Sequence, residues 1–175
     1  HRLDKETSGI LILAKKRLAL VELQEQMKKN QITKEYFALT LGAWRDEKRN
    51  VKAPIYKYTN KDGERRVRID QELGQFSHTI FTLKKKYAEF SLVNADLQTG
   101  RTHQIRIHLQ YLGFPIAGDD KYGNFEQNKL LAKQGLKRMF LHAHHVKFMH
   151  PMTQQTLEVN CPLAPELASF LSKLS

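Results

Sequence analysis

Residues 97–113 read LQTGRTHQIRIHLQYLG, and the hydrophobic period changes inside them. Up to Leu97 the apolar residues belong to an alternating strand pattern that runs from Ala88, whereas Ile105 and Leu109 recur at helical spacing. Thr102 is a residue type that caps a helix start, and Gly113 is one that ends it, so a short helix is expected through Leu112. Thr99-Gly100-Arg101 is then a tight loop between strand and helix, with Gly100 permitting a sharp turn and Arg101 beside the helix N-terminus. A phosphate or carboxylate would suit that junction, and the first turns would offer it His103, Gln104, Arg106 and His108. The same pattern also fits a plain capped helix whose basic residues are solvated, and spacing leaves both readings open.

Elements on either side give the fold class. Gly9 to Ala14 (GILILA) reads as a buried strand after the turn-prone Thr7-Ser8-Gly9, and Arg17 to Lys29 as a helix with Leu20, Leu23 and Met27 on one face, closed by Asn30. Tyr36 to Leu41 alternates as a half-buried strand, with Phe37, Leu39 and Leu41 on one face and Tyr36, Ala38 and Thr40 on the other. Trp44 to Asp70 is basic and turn-rich. Lys61-Asp62-Gly63 places a hairpin turn between Tyr56–Tyr58 and Arg66–Ile69, so the stretch reads as an exposed, positively charged arm. Thr79 to Leu83 and Ala88 to Leu97 alternate around a connection at Lys84-Lys85-Lys86. A helix near Glu126 to Gln134, strands around Phe140–Phe148 and Thr156–Val159, and a final helix from Pro165 complete one α+β domain with a largely antiparallel sheet.

Composition narrows the partners. The chain has 175 residues and a net charge of +11, an excess that suits a polyanion because each neutralised phosphate releases counterions. No apolar run approaches the length of a membrane span. The single Cys161 rules out an internal disulfide and fits a reducing compartment, with cytoplasm as the expected location.

Three further groups of residues have the types that chemistry needs. HRLDKETSG (1–9) sets Asp4 among Arg2, Lys5 and Glu6 ahead of a strand, where a nearby positive charge would keep a carboxylate ionised; an exposed polar lead-in is the plain alternative. Tyr36 puts an aromatic ring on the less apolar face of its strand, to pack there or to stack on a displaced base. In LHAHHVKFMH (141–150), alternation puts His142 and His144 on one face and His145 on the other, so Asp119 or Asp120 would be needed to complete a two-histidine metal site, a weak signal.

Taken together, HRLDKETSGILILAK, KEYFAL, LQTGRTHQIRIHLQYLGFPIAGDDKYG and FLHAHHVKFMHP resemble, in order and over nearly the whole chain, the motifs of the RluA-type pseudouridine synthases. The resemblance implies a pseudouridine synthase fold of mixed, largely antiparallel sheet with flanking helices. It also implies isomerisation of uridine to pseudouridine in RNA, with large-subunit (23S) ribosomal RNA as first substrate and transfer RNA as the alternative. Asp4 matches the catalytic aspartate, Arg101 the arginine that ion-pairs with it, and Tyr36 the tyrosine that stacks on the target base. Arg2 matches the residue that helps displace the nucleotide, and Leu141 an apolar residue against the site. His103, Gln104 and Arg106 are expected to contact substrate. No metal, cofactor, membrane or obligatory protein partner is implied, and a monomer is expected. The family's catalytic domain normally starts some tens of residues earlier, with a strand and a lysine-proline motif, and many members carry a small RNA-binding module before it. Residues 1–175 are therefore expected to be the catalytic domain without those parts, and to fold or act weakly alone. The rival classes are a non-catalytic RNA-binding domain and a metal-dependent hydrolase.

Overall fold

The computed structural model describes residues 1–174. In chain order it holds β1 (Ser8–Gly9), α1 (Arg17–Lys28), β2 (Thr33–Leu41), β3 (Lys48–Lys52), β4 (Ile55–Thr59), β5 (Arg65–Ile69), β6 (His78–Lys86) and β7 (Phe90–Leu97). Then come α2 (Gln104–Tyr111), α3 (Phe125–Lys133), β8 (Leu141–Met149), β9 (Thr156–Asn160) and α4 (Pro165–Leu171). The main sheet runs β1-β8-β2-β7-β6-β3, with β9 on β8, and β4-β5 form a separate hairpin. Among the described residues only β1 and β8 pair in parallel; the other pairings are antiparallel, which suits an α+β fold.

β2 lies between β7 and β8 and is buried on both faces, with Tyr36, Ala38, Leu39 and Thr40 all closed off, rather than half-buried. Its alternation is real, but elements cover both faces: Thr40 donates its hydroxyl to the Ser91 carbonyl, and Leu39, Val93 and Phe140 join the main core. Fully burying each such aliphatic side chain is worth about 1.5–3 kcal/mol.

Several boundaries depart from the sequence reading. GILILA is a strand only at its first residue, Gly9; Ile10 and Ile12 pack on Leu23, Ile32 and Val146, while Leu11 (46% exposed) and Leu13 (78%) face outward. In α1, Leu23 is buried and Asn30 closes the helix at φ 55°, but Leu20 is exposed; Gln26 is the second buried residue, bonding both ways to the Met149 backbone. The stretch from Trp44 is not wholly an exposed arm. Trp44 is 1% exposed, packed on Phe81 and Phe114, and β3 belongs to the main sheet. Ile55 and Val67 of the hairpin bury against Ile107 of α2. β6 continues through Lys84–Lys86, so the turn falls at Tyr87–Glu89.

α2 is gripped from two sides, which explains its unbroken burial from Gln104 to Leu109: Ile105 and Leu109 enter the main core and Ile107 the hairpin cluster. His108 is fully buried, bonded to the Ser77 and Thr79 hydroxyls and the Ala53 carbonyl, so it is a cross-link rather than an anion ligand.

Candidate active site

Asp4 stands in a turn ahead of β1, closed by the Thr7 N–H donating to the Asp4 carbonyl (3.0 Å). The segment is clamped from the far end of the chain. Arg138 donates to the Glu6 carbonyl and the Ser8 hydroxyl (2.8 Å each), and Ser8 reaches His142 Nδ1 at 2.8 Å. Gly9 has φ +107°, and a Cβ there would fall onto the Ala143 carbonyl, so only glycine lets β1 lie this close to β8.

The partner of Asp4 is Arg106, not Arg101. Arg106 Nη1 donates to Asp4 Oδ2 at 3.3 Å. The same guanidinium makes a two-pronged pair with Asp119 (Nε to Oδ2 2.8 Å, Nη2 to Oδ1 2.7 Å) and touches Asp120 at 3.2 Å. Asp119 is 1% exposed and also accepts the N–H groups of Lys121 and Tyr122. Burial alone would lower the Arg106 pKa, but the hydrogen bond and charge of Asp119, helped by Asp4, outweigh it and hold the guanidinium firmly charged. Burial likewise pushes the Asp119 carboxyl up, and Arg106 more than reverses this. Arg101 is exposed and donates Nε to the Phe76 carbonyl at 3.1 Å. Its place before the helix leaves it on the rim, whereas Arg106, in the first turn of α2, is buried.

The rest of the junction is built differently from its reading as an anion site. Thr102 does not cap α2; the N-cap is His103, at φ 51°. Gln104 does the closing: Oε1 accepts from the Thr99 hydroxyl and the Arg101 N–H, and Nε2 donates to the His78 carbonyl and Thr79 hydroxyl. Its two donors and two acceptor positions are thus spent inside the protein, which removes it as a substrate contact. His103 Nε2 lies 3.9 Å from Asp4 Oδ1, while Nδ1 is 2.8 Å from the Tyr122 hydroxyl.

Asp4, Arg2, Tyr36, Leu141, Arg101, His103, Gln104 and Arg106 line one cavity of about 530 Å³. Tyr36 is 7% exposed, and burial, then the Asp4 charge, pushes its phenol up to about 12, so it stays neutral. A second cavity of about 600 Å³ shares Arg2, Asp4, His103 and Arg106 and adds Lys57, Arg65, Arg66 and Lys121. The arrangement offers one carboxylate held by one guanidinium beside an aromatic ring, next to a basic trough.

The histidine cluster goes elsewhere. An extra residue in β8 opposite Glu35/Tyr36 breaks the alternation, so both His144 and His145 reach the Glu35 carboxylate (4.0 and 3.4 Å). His142 bonds Ser8 and the Cys161 carbonyl, and Asp119 is committed to Arg106. Among the described residues no group of three or more His, Cys, Asp or Glu is placed to hold a metal. Sequence reasoning missed Tyr122 and the pairing role of Asp119; both lie in GDDKYG, whose acidic pair beside a tyrosine was the available signal.

The family model described as RNA pseudouridylate synthase matches residues 1–111. The chain belongs to this family. It is 47% identical over 174 residues to ribosomal large subunit pseudouridine synthase C of Pasteurella multocida (strain Pm70), covering 99% of the chain and 53% of that protein. The Escherichia coli (strain K12) protein of the same description is 46% identical over 176 residues, at 99% and 55% coverage. The chain thus spans about half the length of these relatives. Human RNA pseudouridylate synthase domain containing 1 superposes with a TM-score of 0.81 at 29% identity, covering all of this chain and 72% of that one. Human RNA pseudouridylate synthase domain containing 4 gives 0.79 at 25% identity, with 100% and 75% covered.

Proposed function

We propose that this chain is the catalytic part of an enzyme that isomerises uridine to pseudouridine in RNA, with Asp4 as the acting carboxylate. The observation that carries the reading is the asymmetry of Asp4. Oδ2 is held by Arg106, while Oδ1 has no partner within hydrogen-bond distance among the described residues and opens on a cavity that Tyr36 also lines. Isomerisation breaks the bond from the base nitrogen to the sugar, turns the uracil, and joins its carbon 5 to the same sugar carbon. The carbon 5 proton is released and the freed nitrogen gains one, so no electrons are gained or lost. A glycosidase needs a second carboxyl group to protonate a poor leaving group or activate water. Uracil leaves as a delocalised anion and is recaptured, so a single carboxylate suffices, as nucleophile at the anomeric carbon or as base toward the neighbouring sugar proton. Tyr36 would stack on the displaced base, Leu141 would exclude water, and Arg2, on the edge of both cavities, would occupy the space the nucleotide leaves. Large-subunit ribosomal RNA is the proposed substrate, because relatives that are about half identical are named for it.

Tritium release from carbon 5 of labelled uridine in ribosomal RNA, by the full-length protein carrying this chain, tests the reading. Turnover that persists with chelator and disappears in Asp4→Asn, with RNA still bound, supports it. Binding without turnover by the wild type would make the domain an RNA binder, turnover abolished by EDTA would revive the metal-dependent alternative, and release from transfer RNA alone would move the substrate.

A further inference from the structure

The loop after α2 brings a tyrosine to a histidine that the reaction scheme leaves without a task. His103 adopts left-handed backbone geometry (φ 51°), which costs a non-glycine residue about 1 kcal/mol or more and is retained where a side chain must be aimed. The ring lies between Tyr122 and Asp4, inclined at 63° to the tyrosine ring with ring centres 5.6 Å apart. The Tyr122 hydroxyl accepts the Val67 N–H of the β4–β5 hairpin at 3.1 Å, which leaves its own proton free for His103 Nδ1 at 2.8 Å. The opposite arrangement, with the proton on Nδ1, would turn the Nε2 lone pair toward a carboxylate oxygen 3.9 Å away and is electrostatically unfavourable.

We propose that Tyr122 is a positioning residue for the isomerisation: it fixes the His103 ring as the Nε2–H form facing Asp4 Oδ1, leaving that oxygen free of a charged partner. A protonated His103 would pair with Oδ1 and mask it. The groups around the ring agree with a neutral state. Asp4 and Asp119 favour its charge, whereas Arg106 from α2 and Lys121 from the following loop oppose it, with Arg2, Lys57, Arg66 and Asp120 facing it across the basic trough. Burial lowers the pKa of the ring and, with Arg106 and Lys121 adding to it, outweighs the opposing pull of Asp4. The hydroxyl also ties the hairpin to the site, so the residue that sets the tautomer is held by the element that carries the basic trough.

This inference rests on the pseudouridine synthase reading, and two measurements keep the two separable. In the RNA-free, full-length protein, imidazole nitrogen NMR shifts of His103 are expected to show Nδ1 unprotonated in the neutral ring and a titration displaced below that of a free imidazole; in Tyr122→Phe the titration is expected to move up. In the tritium assay, kcat of Tyr122→Phe should begin to fall at a higher pH than wild-type kcat, by about tenfold per pH unit below the new His103 pKa, with KM unchanged. Tyr122→Phe combined with His103→Gln should be slower but level with pH. A proton on Nδ1 in the wild type overturns the proposal, as does a Tyr122→Phe profile parallel to the wild type or a loss confined to KM. If Tyr122→Phe fails to fold, the wild-type shifts alone decide. A wild type that releases no tritium sinks the proposed function, while the nitrogen shifts still report the tautomer.

Discussion

Arg106 holds three carboxylates on one guanidinium, and a lysine cannot do this, because an ammonium is a point charge without the planar fork. Arg106→Lys is expected to lose most of kcat in the tritium assay. Arg106→Leu, which strands the buried Asp119, should lower unfolding free energy in urea by about 3–5 kcal/mol. Arg101→Ala, on the rim, should change KM more than kcat; equal losses at Arg101 and Arg106 would refute the pairing described. Asp119 also sets an acid limit. Its folded pKa is depressed, so its contribution is present above the unfolded value of about 4 and fades as pH falls through the lower folded value. Asp119→Asn should therefore unfold with less dependence on pH below about 4. At this scale the fold gathers Asp4, Tyr36, Leu141, Arg101 and Arg106 round one cavity, but sets Arg106 beside Asp4 where the sequence reading expected Arg101. The spacing could not rank Arg101 and Arg106, because what separates them is burial against a loop that follows the helix.

Gly9 shows what decides an element of two residues. Gly9→Ala must relieve both a positive φ and a clash with the Ala143 backbone, and should cost at least ~2 kcal/mol in chemical denaturation while detaching the Asp4 turn, so activity should fall with stability. The bulge in β8 gives a separate pH effect. Burial first, then the neighbouring His145, His142 and Lys84, pull His144 down to about 4 against the opposing pull of Glu35. A histidine whose folded pKa is depressed is protonated first in the unfolded chain, so stability should decline as pH falls from 6.5 to about 4 and level off below. His144→Gln should flatten that part of a melting-temperature profile. Periodicity revealed the hairpin, the helices and the long strands. It misread GILILA because an apolar run does not reveal what it packs against, and it misread Trp44 to Asp70 because basic residues there edge a buried aromatic face.

These 175 residues carry a net charge of +11, with Lys57, Arg65, Arg66 and Lys121 lining the trough beside Asp4. RNA affinity should therefore fall steeply with salt. Lys57→Gln with Arg65→Gln should raise KM and reduce the slope of log affinity against log salt by about one for each phosphate no longer neutralised, whatever the RNA sequence. Fold class was readable from pattern, and the positive charge from composition. The joining of distant segments was not, since nothing local marks Ser8 as the partner of His142, 134 positions away. That long closure has a consequence for biosynthesis. The strand and arginine that anchor the Asp4 turn are translated long after the aspartate itself, and contacts so distant in sequence form slowly. A nascent chain would expose Asp4 without an assembled cavity around it until β8 has been made, so maturation of the site is timed by the synthesis of that strand.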